Sequence, residues 1–224
     1  MNKALSFIRL DFITVKPYLT LKNLIIFVGI ALVMILVTDS AGAAIGMLMA
    51  FAALYASYPF AIGEKSSIDV LYTTLSIKRN TVVLGRYLFA LILDLSAGLF
   101  AYIFSFILLT VMQKGFNFME SLYVILVLFL AFSLLHAIQL PIYFKLGYTK
   151  AKFLTYLPFI ILPLMVVVFS SFFGDIFSLE RISGLLDWFA ANHLATALTG
   201  AVIWFGIMAI SYRVSLSLYE KRDF

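Results

Sequence analysis

Runs of about 20 apolar residues recur along this chain, the length a helix needs to cross a hydrocarbon core of roughly 30 Å. They fall near residues 24–38, 41–62, 87–112, 121–144, 153–173 and 194–212, giving six candidate spans. A lone apolar run in lipid must satisfy its own backbone hydrogen bonds, so each is predicted to be an α-helix. The alternating pattern of a membrane barrel is absent. Composition agrees: with 64% hydrophobic and 12% charged residues, the chain lacks the charge to clothe a soluble domain. The expected fold class is all-α, a polytopic membrane protein with one transmembrane domain over residues 1–224.

Charge sets the expected orientation. The segments 1–23, 63–86, 145–152 and 213–224 hold 14 of the 16 lysines and arginines, and the opposite-side segments hold only Lys114 and Arg181. Basic loops stay in the cytoplasm, so both termini are expected there. The net charge of +5 is spread over these loops and tails rather than gathered on one face, which argues against nucleic acid as a partner. The first 23 residues lack the compact apolar stretch and small-residue cleavage site of a removable signal. They are predicted to form an interfacial helix with Leu5, Ile8 and Phe12 turned to lipid, ended or kinked by Pro17.

Several chemistries lack their residues. There is no cysteine, so thiolate metal sites and cysteine nucleophiles are excluded. No G-x-x-x-x-G-K-[ST] phosphate loop occurs, so the chain is not expected to bind ATP itself. His136 and His193 form no H-E-x-x-H motif, and no G-x-S-x-G nucleophile elbow is present. No catalytic, cofactor or metal residue is assigned, and no enzymatic activity is expected of this chain.

The segment 64–87, EKSSIDVLYTTLSIKRNTVVLGRY, interrupts the apolar pattern. It is far longer than a turn requires, and Ile68, Leu71, Tyr72 and Leu75 follow the i, i+3, i+4, i+7 spacing of one helix face. Ser66 and Ser67 suit the N-cap and Asp69 the first turn, with Lys78 and Arg79 behind them. Such a helix can rest its stripe on lipid with the basic pair at anionic headgroups, or present the stripe to a groove on a soluble partner. Periodicity alone does not separate the two.

Within the spans, Gly42, Gly46 and Ala50 place small residues on one face, which permits close helix approach. A packing seam inside the subunit is the commoner use of such a motif, a dimer contact the rarer. Pro158 and Pro163 should bend the fifth span. Asp94 and His136 both lie about 12 Å deep from the same membrane side, at 1.5 Å per residue. Charge at that depth calls for pairing or a wet cavity. Either the two meet, or backbone and serine groups satisfy each separately, the commoner arrangement. Segment 174–193 is expected outside, with Ile182, Leu185, Leu186 and Phe189 on one helix face and Trp188 at the interface.

The whole layout resembles the permease subunits of type-2 ABC exporters, in particular small bacterial permeases without a fused ATPase domain. The amphipathic N-terminal segment, the six spans and the long first cytoplasmic loop all correspond. Thr74-Leu75-Ser76-Ile77-Lys78-Arg79 is similar to the family's "sLPisR" turn, with Ser76 where proline is frequent. Arg86-Tyr87-Leu88 stands for its Lys-Tyr-Leu entry into the third span. The resemblance implies that 64–80 is a coupling helix seated on a separate ATPase, through Glu64, Ile68, Asp69, Leu71, Tyr72, Leu75, Lys78 and Arg79. It also implies two ATPase copies carrying ATP and Mg, a second permease subunit, identical or related, and re-entrant helices in 174–193 bent at Gly174 and Gly184. Export of an amphipathic or antimicrobial peptide, or another hydrophobic substrate, across the bacterial cytoplasmic membrane is the function it implies. Two other readings use the same layout: the substrate-capture subunit of a vitamin importer, and an ATPase-independent carrier or immunity protein.

Overall fold

The computed structural model describes residues 2–66, 68, 71–72, 77–153 and 192–222. Every regular element among them is helical. In chain order they are α1 (Asn2–Val15), a 3₁₀ turn (Lys16–Tyr18), α2 (Leu21–Thr38), α3 (Ala41–Tyr55), α4 (Tyr58–Lys65), α5 (Arg79–Val111), α6 (Phe118–Leu146) and α7 (His193–Glu220). Five stretches are long and apolar enough to cross a membrane: α2, α3 with α4, α5, α6 and most of α7. Apart from Phe153, the fifth expected span at 153–173, with Pro158 and Pro163, lies outside the described residues. So does almost all of segment 174–193, including Gly174, Ile182, Gly184, Leu185, Leu186, Trp188 and Phe189.

Local chemistry sets the breaks. Pro17 falls in the 3₁₀ turn that separates α1 from α2, as a residue without an N–H should. Thr20 caps α2 by accepting from the Asn23 amide at 3.3 Å. The α2–α3 hairpin is tight: Asp39 is left-handed at φ 51° and Ser40 caps α3 through the Gly42 amide. The run 41–62, read from sequence as one span, is broken at Ala56–Ser57, because Pro59 opens a new helix in its first turn. Pro141 stays inside α6, and Gly147, at φ +75°, follows that helix.

Packing divides into a half at the α2–α3 hairpin end, here the outer, and a half at the α1 end, here the inner. In the outer half α2, α3, α5 and α6 share a core of Ile35, Ile45, Met49, Ala101, Leu109 and Ile125. Their approach depends on Gly98 of α5, where a Cβ would sit 3.0 Å from Ile125 and 3.4 Å from the Met49 sulfur. Gly42 and Gly46 of α3 lie against Val124 and Leu128 of α6, so this small-residue face is a seam within the subunit; Ala50 packs on the same core. The inner half gathers Phe7, Tyr72, Val83, Tyr87, Phe144 and Tyr219 from α1, the 64–78 stretch, α5, α6 and α7. Long rows of exposed Leu, Ile, Val and Phe along the spans complete an exterior matched to lipid.

The N-terminal helix departs from expectation. Phe7, Ile8, Asp11 and Val15 are buried, and the Phe12 ring meets Phe89 edge-on at 4.8 Å. Thus Ile8 and Phe12 face protein rather than lipid; Leu10 and Ile13 are the exposed ones. The side chain of Leu5 lies outside the described part. The physical reason is in α5, where Gly85 leaves room for the Phe7 ring and Arg86 offers a partner to Asp11.

Candidate functional site

The inner ends of the helices form one interlocked assembly. Residues 68, 71 and 72 are helical, and the stripe expected there is split. Tyr72 is only 4% exposed and meets the Phe7 ring edge-on at 5.1 Å, while Ile68, one turn earlier, packs on the same cluster. Leu71 points outward, 53% exposed. Tyr72 therefore anchors the stretch to α1 and is not free to dock on a partner, a correction to the sequence reading. Asp69 and Leu75 lie outside the described residues. Ser66 closes α4, its N–H donating to the Ile62 carbonyl at 2.9 Å; Ser67, the other N-cap expected, lies outside the described residues.

The charged residues of the stretch have different tasks. Lys78 precedes the first turn of α5 and is exposed. Arg79 reaches across to α7, where its guanidinium donates to the carbonyls of Tyr219 (2.8 Å) and Glu220. Carbonyls at a helix C-terminus lack intrahelical donors, so Arg79 caps α7 as well as starting α5. Glu64 is exposed, yet its Oε2 accepts from the Thr149 amide at 3.0 Å. It thereby holds the first turn of the helix that resumes at 148 after Gly147.

Beneath this layer lies a buried ion pair that sequence reasoning missed. Arg86 Nη1 stands 2.8 Å from Asp11 Oδ1, with side chains 4% and 1% exposed. The guanidinium also lies over the Phe60 ring at 4.9 Å and near the Phe7 ring at 5.7 Å, geometry that favours a cation. Burial pushes the Asp11 carboxyl above its ordinary value, and the Arg86 charge and hydrogen bond pull it back. A clue was available: glycine beside arginine in a helical segment, Gly85-Arg86, marks a close approach with charge next to it.

Deeper in the spans, α5, α6 and α7 are stitched by polar contacts. His136 Nε2 is 3.0 Å from Asp94 Oδ2, both side chains essentially inaccessible. The two are thus direct partners, not separately satisfied by backbone and serine as the commoner arrangement would have it. Tyr87 Oη bonds Ser211 Oγ at 2.6 Å and Ser215 Oγ at 2.8 Å, and Ser211 Oγ donates to the Ala137 carbonyl at 2.5 Å. Trp204 Nε1 donates to Ser133 Oγ at 2.6 Å. Interhelical bonds in lipid are each worth about 0.6–2 kcal/mol. The Ser211 and Ser215 pair, one turn apart in the last span, was the available sign. Among the described residues no group of three His, Asp or Glu side chains is placed to hold a metal.

A bundle of membrane-crossing helices knitted together at one end has the fold of a multi-pass membrane protein. The chain matches the ABC-2 family transporter protein family over residues 6–220 and belongs to it. No curated protein and no solved structure matches it significantly. Members of this family are membrane components of ABC transporters, which in general work with an ABC ATPase and as dimers.

Proposed function

We propose that this chain is the transmembrane subunit of a bacterial ABC exporter, lying in the cytoplasmic membrane with both termini inside. It works as a dimer with two copies of a separate ATPase that carries the ATP and Mg. Its substrate is an amphipathic or antimicrobial peptide, or another hydrophobic molecule. The observation that carries this reading is the split stripe. Tyr72 and Ile68 lock the 64–78 stretch to α1 and α5, which leaves Leu71, with Lys78 nearby in sequence, for an outside partner. A helix tied on one face and open on the other transmits rigid-body motion from a motor that grips it.

Co-purification with the ATPase tests this. Leu71→Asp should weaken the complex at least about thirtyfold, the effect of losing a ~2 kcal/mol anchor, while leaving thermal stability in detergent unchanged. A complex that survives Leu71→Asp combined with Leu75→Asp refutes the docking assignment. Full transport by the chain alone in liposomes without nucleotide refutes the ATPase requirement and favours a self-sufficient carrier.

A further inference from the structure

At the end of the bundle opposite the coupling stretch, a polar pocket of about 210 Å³ is lined by Asp39, Ser40, Asn117, Glu120 and Ser121. It opens onto an apolar groove of about 610 Å³ along α6, and Asn117, Glu120 and Val124 line both. The groove runs from Met119 to Leu128, a rise of about 14 Å. That is roughly half of a ~30 Å hydrocarbon core, or one leaflet. A polar head pocket continuous with a leaflet-long apolar furrow is the outline of a lipid.

The pocket chemistry narrows the headgroup. Ser40 and Asn117 are the N-caps of α3 and α6, so two helix N-termini, with their partial positive charge, converge on it and favour a phosphate. Ser121 is 3% exposed, and its hydroxyl makes no hydrogen bond among the described residues although it lines the pocket. That unpartnered hydroxyl, open to the pocket, is available to donate to a phosphate oxygen. Asp39 is paired with Lys114, so those two charges offset each other. The exposed Glu120 carboxylate has no side-chain partner among the described residues. It can receive an ammonium through N–H donors that a trimethylated amine lacks. The pocket has room for several waters and hence for a small polar headgroup.

We propose that this cleft is a headgroup-selective site for an outer-leaflet phosphatidylethanolamine. Its phosphate lies at the two helix ends and Ser121, its ammonium at Glu120, and one acyl chain along Val124, Val127 and Leu128. The proposal goes beyond the transporter reading and is testable without ATPase or nucleotide, so either can fail alone.

Native mass spectrometry of the full-length chain, with dioleoyl phosphatidylethanolamine and dioleoyl phosphatidylcholine in competition, reads the selectivity. The wild type should retain the ethanolamine lipid about tenfold over the choline lipid, the effect of one charge-assisted contact. Glu120→Gln should bring the two to parity, and Ser121→Leu, which fills the pocket, should abolish retention of both; thermal unfolding checks that each variant is folded. Equal retention by the wild type overturns the proposal, as does unchanged selectivity in Glu120→Gln. Displacement of the lipid by a lysine-bearing amphipathic peptide whose binding needs Glu120 also overturns it, and makes the cleft a substrate site.

Discussion

Replacing Arg86 with methionine removes the guanidinium that faces Asp11 at 2.8 Å and leaves a carboxyl that is 1% exposed. Breaking a buried pair in this way costs about 3–5 kcal/mol when the remaining group stays charged. Asp11 has an escape, because protonation removes its charge. Burial already holds its carboxyl above the ordinary 3.8, and Arg86 opposes that rise. In Arg86→Met the opposition is gone and the folded-state value climbs further. Stability tied to a raised carboxyl is fully present below the ordinary value and is lost as pH rises through the folded value. The variant should therefore lie close to wild type in acid and lose the full amount toward neutrality.

Asp11→Asn behaves differently, since arginine keeps its charge at every accessible pH and acid brings no relief. The double variant Asp11→Asn, Arg86→Met removes both charges and should return to about wild-type stability, as neutral replacements of buried pairs often do. Thermal unfolding in detergent at about pH 5 and about pH 8 follows all four proteins. An Arg86→Met loss below about 1 kcal/mol near neutrality, or one of equal size at both pH values, refutes the reasoning that Arg86 is what holds Asp11 charged inside the protein.

Two further variants probe the contacts around this pair. Gly85→Val would place a Cβ 2.5 Å from Phe7 Cδ1, so α1 must shift; a loss of about 1–3 kcal/mol in the same unfolding assay is expected, and none would show that α1 is not seated there. Asp94→Asn and His136→Gln should be non-additive, with an interaction energy of about 0.5–3 kcal/mol in transport or stability, since the side chains stand 3.0 Å apart; additive effects would exclude direct coupling.

How much of this could be read from the chain depended on whether the information was local. Span number and depth come from runs of apolar residues, so α2, α5, α6 and α7 fall close to where hydropathy put them. Depth placed Asp94 and His136 at one level, but facing is an azimuth. Hydropathy carries little of it when a span is apolar all round, so their contact needed coordinates. The N-terminal helix failed for the complementary reason. Its apolar stripe reads against lipid, the nearest apolar phase, and nothing local marks Asp11 as buried. The partner that draws Asp11 inward, Arg86, lies 75 positions along the chain, with no periodicity to announce it. The break before Pro59 is not visible to hydropathy, which does not register a lost N–H, although Pro59 stands near the end of the apolar run. In the 64–78 stretch the helix spacing is visible in the sequence, but the different placement of Tyr72 and Leu71 depends on Phe7 approaching from another element.

The helix that links these observations is α5. Its 33 residues reach about 50 Å, against a hydrocarbon core of roughly 30 Å, so nearly four turns extend beyond the core at one or both ends. Residues along its inner end grip two neighbours: Arg79 the last carbonyls of α7, Gly85 and Arg86 the buried face of α1, and Tyr87 the paired serines of α7. One further rung, Asp94 to His136, ties it to α6. On the docking proposed above, a displacement of Ile68, Leu71 and Tyr72 is therefore not absorbed cheaply by a hinge at Lys78 alone. Such a hinge would have to pull Tyr72 off Phe7, on a helix that Gly85 and Arg86 hold to α5. The cheaper response is for α1, α5 and the end of α7 to move as one body, and that makes the N-terminal helix part of the lever instead of a passive anchor in the membrane surface.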